Sequence, residues 1–311
     1  MVPMLVVTCP GQGSQKPGFL SAWIERDDRR AALERLGAAA GVDLIAHGTE
    51  SDAETIRATA IAQPLIVAAG ILAWDALREE QPELAARVGA TAGHSVGELT
   101  AAYVAGILDA DSAMRLVGLR SRLMAGDAAK VETGMAAVVG GDEAEVLERL
   151  EELGLSPANF NGGGQIVAAG EPAGLEALAA DGPAGARVVP LKVAGAFHTS
   201  YMGEAREALA AERGAFDPAD PAMTIWTNED GRAVASGAEF VDAIVRQVAQ
   251  PVRWDRCMAS MAEAGVEGMI ELAPAGTLVG LAKRGLQGTP AAALNAPGDL
   301  TGLAAKLEPT A

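Results

Sequence analysis

The chain has 311 residues, half of them hydrophobic and only 4% aromatic, with a formal net charge of −17. Such a composition describes a globular protein and argues against general nucleic-acid binding, because duplex phosphates would be repelled and bases would find few rings to stack on. No basic-then-apolar leader is visible and no apolar run approaches the ~18–20 residues that span a bilayer, so no membrane segment is expected. Two cysteines, Cys9 and Cys257, suggest no disulfide framework, and a cytoplasmic location is expected.

In chain order, the first element is a strand, Met4–Val7, that runs into the glycine loop Gly11-Gln12-Gly13-Ser14-Gln15. A glycine turn after a strand commonly cradles a phosphate, but the spelling fits neither common version. The third glycine of a dinucleotide fingerprint would fall at Lys16, and the residue after the Gly13…Gly18 spacing of a P-loop is Phe19, not Lys. A helix over Gln63–Glu79 follows. Then Gly93-His94-Ser95-Val96-Gly97 spells G-x-S-x-G, the nucleophile elbow, in which small residues allow a sharp strand-to-helix turn around Ser95. Leu99, Tyr103, Val104 and Leu108 continue from it at helical spacing.

The next helix, Ser112–Met124, carries Arg120, whose neighbours three and four residues away are Leu116, Val117, Leu123 and Met124. Arg120 therefore faces the core, whereas Arg115 and Arg122 face solvent. A buried guanidinium needs a partner. That partner is either an internal carboxylate or an anionic substrate group, which a guanidinium holds through two parallel hydrogen bonds.

Strand Met135–Val139, helix Asp142–Leu153, the stretch Ala158–Gly170 with strand Gln165–Ala169, helix Pro172–Ala180 and strand Ala186–Leu191 follow in the order of a ferredoxin-like unit. A serine nucleophile needs a base, and the chain offers three histidines. His94 adjoins Ser95, and the turn aims the two side chains differently. His47 lies near a helix end and reads as structural. His198, in Gly195-Ala196-Phe197-His198, sits at a strand-to-helix junction facing a cleft and is the candidate base. Helices Met202–Glu212, Ala238–Val248 and Trp254–Ala264, with strands Thr224–Trp226 and Gly268–Glu271, complete an alternation that argues α/β.

Together these residues resemble the malonyl-CoA:acyl carrier protein transacylases, the acyltransferases of fatty acid and polyketide synthesis. The resemblance rests on Pro10–Gln15, Gly93–Glu98, the Arg120 helix, Asn159-Phe160-Asn161 with Gln165, Gly195–His198, and Gln247…Pro251-Val252-Arg253-Trp254. It implies an α/β-hydrolase-like large domain, residues 1–130 and 197–311, with an inserted ferredoxin-like small domain, residues 131–196. It also implies Ser95 as the acylated nucleophile and His198 as general base and then acid. The histidine would be oriented by the Gln247 backbone carbonyl, with Arg120 on the malonyl carboxylate and the Gln12 and Val96 N–H groups as the oxyanion hole. His94, Asn161 and Phe197 would support the site. The implied substrates are malonyl-CoA and holo-acyl carrier protein, handled by a monomer with no metal and no cofactor.

Phe197 resembles the versions that take malonyl; a small residue there is common in those that accept methylmalonyl. The run Gly162-Gly163-Gly164 departs from the Ser-Pro or similar pair of the family. An acidic chain meeting an acidic carrier protein needs a local basic patch, for which Arg187, Lys192, Lys283 and Arg284 are candidates. The alternative reading is a serine hydrolase or thioesterase of the α/β-hydrolase type, in which an acid precedes the histidine in the order Ser, acid, His.

Overall fold

The computed structural model describes residues 4–308. Along the chain run β1 (Leu5–Cys9), α1 (Asp27–Ala40), α2 (Leu44–Thr49), α3 (Thr59–Glu80), α4 (Pro82–Ala85), β2 (Val88–Gly93), α5 (Gly97–Val104) and α6 (Ala110–Ala128). There follow β3 (Gly134–Gly140), α7 (Glu143–Glu152), β4 (Ser156–Gly162), β5 (Gln165–Gly170), α8 (Pro172–Ala180) and β6 (Ala186–Leu191). The chain closes with α9 (Gly203–Ala211), β7 (Thr224–Trp226), α10 (Gly237–Gln247), β8 (Val252–Arg253), α11 (Trp254–Glu263), β9 (Gly268–Glu271), α12 (Thr277–Gly285) and β10 (Ala291–Ala293).

The fold is mixed α/β with two sheets. The first has the order β10-β9-β1-β2-β7 and is parallel throughout. A parallel sheet is covered on both faces, which is why β1 reads as LVVTC with every residue buried. Its side chains alternate between two cores: Leu5, Val7 and Cys9 enter one, Val6 the other. The ladder carries β1 two residues past the expected Val7, because Thr8 pairs with both Ala92 and Glu271 and Cys9 pairs with Gly93.

The second sheet has the order β6-β3-β5-β4-β8, antiparallel except for the β4–β8 pair. One face, with Val138, Ile166 and Ala168, packs on Val146, Leu150 and Leu178 from α7 and α8. Met135, Val167 and Ala169 on the other face join the main core. This sheet is not confined to residues 131–196, since Val252–Arg253 joins it as β8 from far along the chain.

Helix α3 starts one turn before the expected Gln63, which leaves Pro64 inside it. Against the sequence expectation, this helix is long and apolar enough to cross a membrane by length and composition. Its uniform apolarity instead serves the core: Leu65–Ala69 and Ile71–Trp74 are all buried among the other helices.

Candidate active site

Strand β2 delivers the elbow. The His94 N–H donates to the Cys9 carbonyl at 2.9 Å, and one residue later Ser95 turns to φ = 54°, a left-handed value that non-glycine residues rarely hold. The flanking glycines are required by close approach. A Cβ on Gly93 would lie 2.0 Å from the Gly97 carbonyl carbon, and one on Gly97 would lie 2.1 Å from the Cys9 oxygen. The strained turn is clamped by Asn228, just beyond β7. Asn228 Oδ1 accepts the Ser95 N–H at 2.7 Å, and its Nδ2 donates to the Gly93 carbonyl at 2.7 Å.

His198, also left-handed at φ = 62°, meets the serine. Its Nε2 is 2.7 Å from Ser95 Oγ, and its Nδ1 is 2.8 Å from the Gln247 carbonyl oxygen. A carbonyl only accepts, so Nδ1 carries the proton and Nε2 is free to accept the serine proton. No carboxylate takes the position behind the imidazole that an α/β-hydrolase triad would fill. Burial, reinforced by the nearby positive charge of Arg120, pulls the His198 pKa down to about 3, so the ring is neutral at neutral pH.

Beneath this pair lies a buried polar network. Arg120 is fully buried on α6, as its apolar neighbours require. Among the described residues no carboxylate bonds it directly, so the internal ion pair that the sequence offered as one candidate is not formed. Its Nη1 donates to Gln63 Oε1 at 2.7 Å and its Nη2 to Gln247 Oε1 at 2.8 Å, two neutral amides. An acidic side chain lies one step removed, Glu98 of α5, whose carboxyl oxygens accept from Gln247 Nε2 and, at 2.6 Å, from the Asn228 N–H. Burial pushes Glu98 up to about 8, against the pull of the Asn228 N–H, Thr227 and Arg120. Burial likewise pulls Arg120 down to about 10, with Glu98 opposing, which leaves it charged at neutral pH.

A cleft of about 300 Å³ opens over Ser95 and His198. Gly11, Gln12, Gly13 and Val96 line one side, with Gln12 Nε2 bonded to the Arg57 carbonyl at 3.2 Å. The glycine loop lies hard against the elbow, since a Cβ on Gly11 would fall 2.9 Å from the His94 oxygen. Met135, Asn161, Gln165 and Val167 of the antiparallel sheet line the other side, and Phe197 lies beside His198. The turn does aim His94 away from its neighbour: His94 Nε2 donates to Asn161 Oδ1 at 2.8 Å, and Asn161 Nδ2 donates to Gln165 at 3.2 Å. Among the described residues no group of acidic, His and Cys side chains is arranged to hold a metal. Lys192 follows the cleft residue Leu191, and Lys283 and Arg284 end the helix whose Thr277 and Leu281 line the cleft. Arg187 lies at the other end of β6.

Gln63, the buried Glu98 and Asn228 are residues of this network that sequence reasoning did not single out. Gln63 and Glu98 each gave a signal, a polar residue within an apolar helix stretch. Asn228 gave none.

Residues 6–302 match the family model described as the acyl transferase domain. The chain is similar to the malonyl CoA-acyl carrier protein transacylase of Mycobacterium tuberculosis, with 48% identity over 97% of this chain and 99% of the relative. The crystal structure of MCAT from M. tuberculosis superposes with a TM-score of 0.93 at 48% identity, covering 97% of this chain and 99% of the other. A further structure, PlMCAT:AntF, a malonyl-transacylase in complex with a type II polyketide acyl carrier protein, gives a TM-score of 0.88 at 30% identity, covering 96% and 98%.

Proposed function

The chain belongs to the acyl transferase domain family, and on that premise we propose that it transfers the malonyl group from malonyl-CoA to the phosphopantetheine thiol of acyl carrier protein through a Ser95 acyl-enzyme. The observation that carries this reading is the Ser95–His198 hydrogen bond of 2.7 Å, set beside a buried guanidinium. In the first half-reaction His198 Nε2 takes the Ser95 proton as Oγ attacks the thioester carbonyl. The developing oxyanion is received by the Gln12 and Val96 N–H groups. The intermediate collapses, and His198 returns the proton to the departing CoA sulfur. In the second half, His198 takes the proton of the carrier thiol, the thiolate attacks the malonyl ester, and Ser95 recovers its proton.

Arg120 receives the free carboxylate of malonyl, which favours this group over acetyl. No metal or cofactor is called for. We read the parallel sheet as an α/β-hydrolase-like domain and the β6-β3-β5-β4 sheet as a ferredoxin-like insert, an assignment supported by its βαββαβ chain order. Fatty acid or polyketide synthesis would consume the product. The hydrolase alternative is disfavoured, because the acceptor of His198 Nδ1 is a backbone carbonyl rather than an acid.

Intact mass after mixing with malonyl-CoA tests the proposal. The expected result is a malonyl adduct that Ser95→Ala lacks and that holo-acyl carrier protein discharges faster than water does. CoA release without an adduct, independent of the carrier protein, would establish a hydrolase.

A further inference from the structure

The two amides that cover Arg120 are held very differently. Gln247 shares its Nε2 protons among Glu98, Asn228 Oδ1 at 3.1 Å and the Ser95 carbonyl at 3.3 Å, so turning its amide would break several buried hydrogen bonds at once. Among the described residues Gln63 has, besides Arg120, only a long contact from Nε2 to Met124 Sδ at 3.6 Å. Gln63 lines the cleft, whereas Arg120 is fully buried behind it and its Nε–H has no hydrogen-bond partner.

We propose that Gln63 is the displaceable occupant of the carboxylate subsite: its side-chain carbonyl holds Arg120 in the resting enzyme and yields that place to the free carboxylate of the acyl group, while Gln247 stays fixed. This inference rests on the reading of Arg120 as the carboxylate-binding residue and deepens it. An amide oxygen is a weaker partner for a guanidinium than a carboxylate, so a charged acyl group wins the exchange. An acetyl group offers nothing to exchange, and Gln63 stays in place. The resting contact also keeps the buried guanidinium from being left without an acceptor on that side. Gln63 is thus a positioning residue that sets selectivity through Arg120.

Gln63→Glu puts a carboxylate of the chain itself on Arg120. The expected result is a KM for malonyl-CoA raised at least about tenfold, with the KM for acetyl-CoA changed much less. Gln63→Met removes the acceptor at similar volume. Here the free enzyme loses thermal stability and the malonylated enzyme does not, so the gain in Tm on malonylation exceeds that of the parent, whereas acetylation brings no such gain. An unchanged malonyl-CoA KM in Gln63→Glu, or equal Tm losses in free and malonylated Gln63→Met, overturns the proposal. Should Gln63→Glu fail to fold, the Gln63→Met comparison decides alone. Arg120→Gln is run beside them. If it keeps malonyl-over-acetyl selectivity, the carboxylate-binding reading itself fails. If it loses selectivity while Gln63→Glu does not, only the exchange fails.

Discussion

The two sheets that wall the cleft contribute unlike things. The parallel sheet brings the strained elbow at Ser95, and the segment that follows β6 of the other sheet brings His198; these are the two non-glycine residues with positive φ among the described residues, and hydrogen bonds to Asn228 and the Gln247 carbonyl hold them. The antiparallel sheet brings ordinary strand residues, Met135, Asn161, Gln165 and Val167, that close the cleft by their bulk and polarity. Strain can persist only where the surroundings over-determine it, and a sheet buried on both faces supplies that support better than one with a hairpin edge. The strained elbow lies on one wall and the strand side chains that shape the cleft lie on the other, with His198 set between them.

The largest effects should come from the reacting pair. Ser95→Ala and His198→Ala should each lower acylation by a factor on the order of 10⁶, read by burst and steady-state CoA release, since members of such a unit act together. A normal acylation rate in His198→Ala would place the base elsewhere. Arg120→Gln should reduce malonyl-over-acetyl preference by roughly two to four orders of magnitude, the size of about 3–5 kcal/mol for breaking a buried charge pair. Competition between the two thioesters measures it.

Gly97→Ala should lower stability by about 1–3 kcal/mol, through overpacking against Cys9, and should lower kcat by tilting the elbow. Denaturant unfolding beside turnover checks both. The shape wall should respond less. Asn161→Ala strands the His94 N–H and should lower stability by about 1–3 kcal/mol, raising KM more than it lowers kcat. A fall in acylation as deep as that of Ser95→Ala would erase the contrast between the walls.

A further effect is in pH dependence. His198 is pulled from an ordinary 6.5 to about 3 in the folded chain, so the unfolded chain binds the extra proton between those values. Stability from this group is present above pH 6.5 and declines as pH falls toward 3, by at most about 1.4 kcal/mol per unit. His198→Gln should flatten that part of the pH–stability curve; an unchanged slope would mean that the ring is not held neutral.

Much of the site was legible because its chemistry is spelled locally. Gly93 to Gly97 write the elbow in five consecutive letters, and Arg120 betrays its burial through neighbours on its own helix. His198 emerged because histidines are so few. Asn228 could not be read this way: it follows a strand of three residues and reaches the Ser95 N–H across 133 positions. The nature of the Arg120 cap was equally hidden, because Gln63 and Gln247 come from separate helices that meet only in the folded core. In the fold, β8 and β10 are two and three residues long, too short for an alternating pattern to show. Helix α1 does carry a signal, Leu33, Leu36 and Ala40 buried on one face, which the reading of the alternating elements passed over.

The short seam between β4 and β8 has a mechanical consequence. Asn159 pairs with Val252 and Phe160 with Arg253, and the Arg253 guanidinium lies 4.3 Å from the centre of the Phe160 ring. Just upstream on the same stretch of backbone is Gln247, whose carbonyl aligns the imidazole. The far wall of the cleft is thereby joined to the stretch whose carbonyl meets His198. Under the proposed function, a substitution that loosens this pairing would reach both the cleft wall and the carbonyl that meets His198.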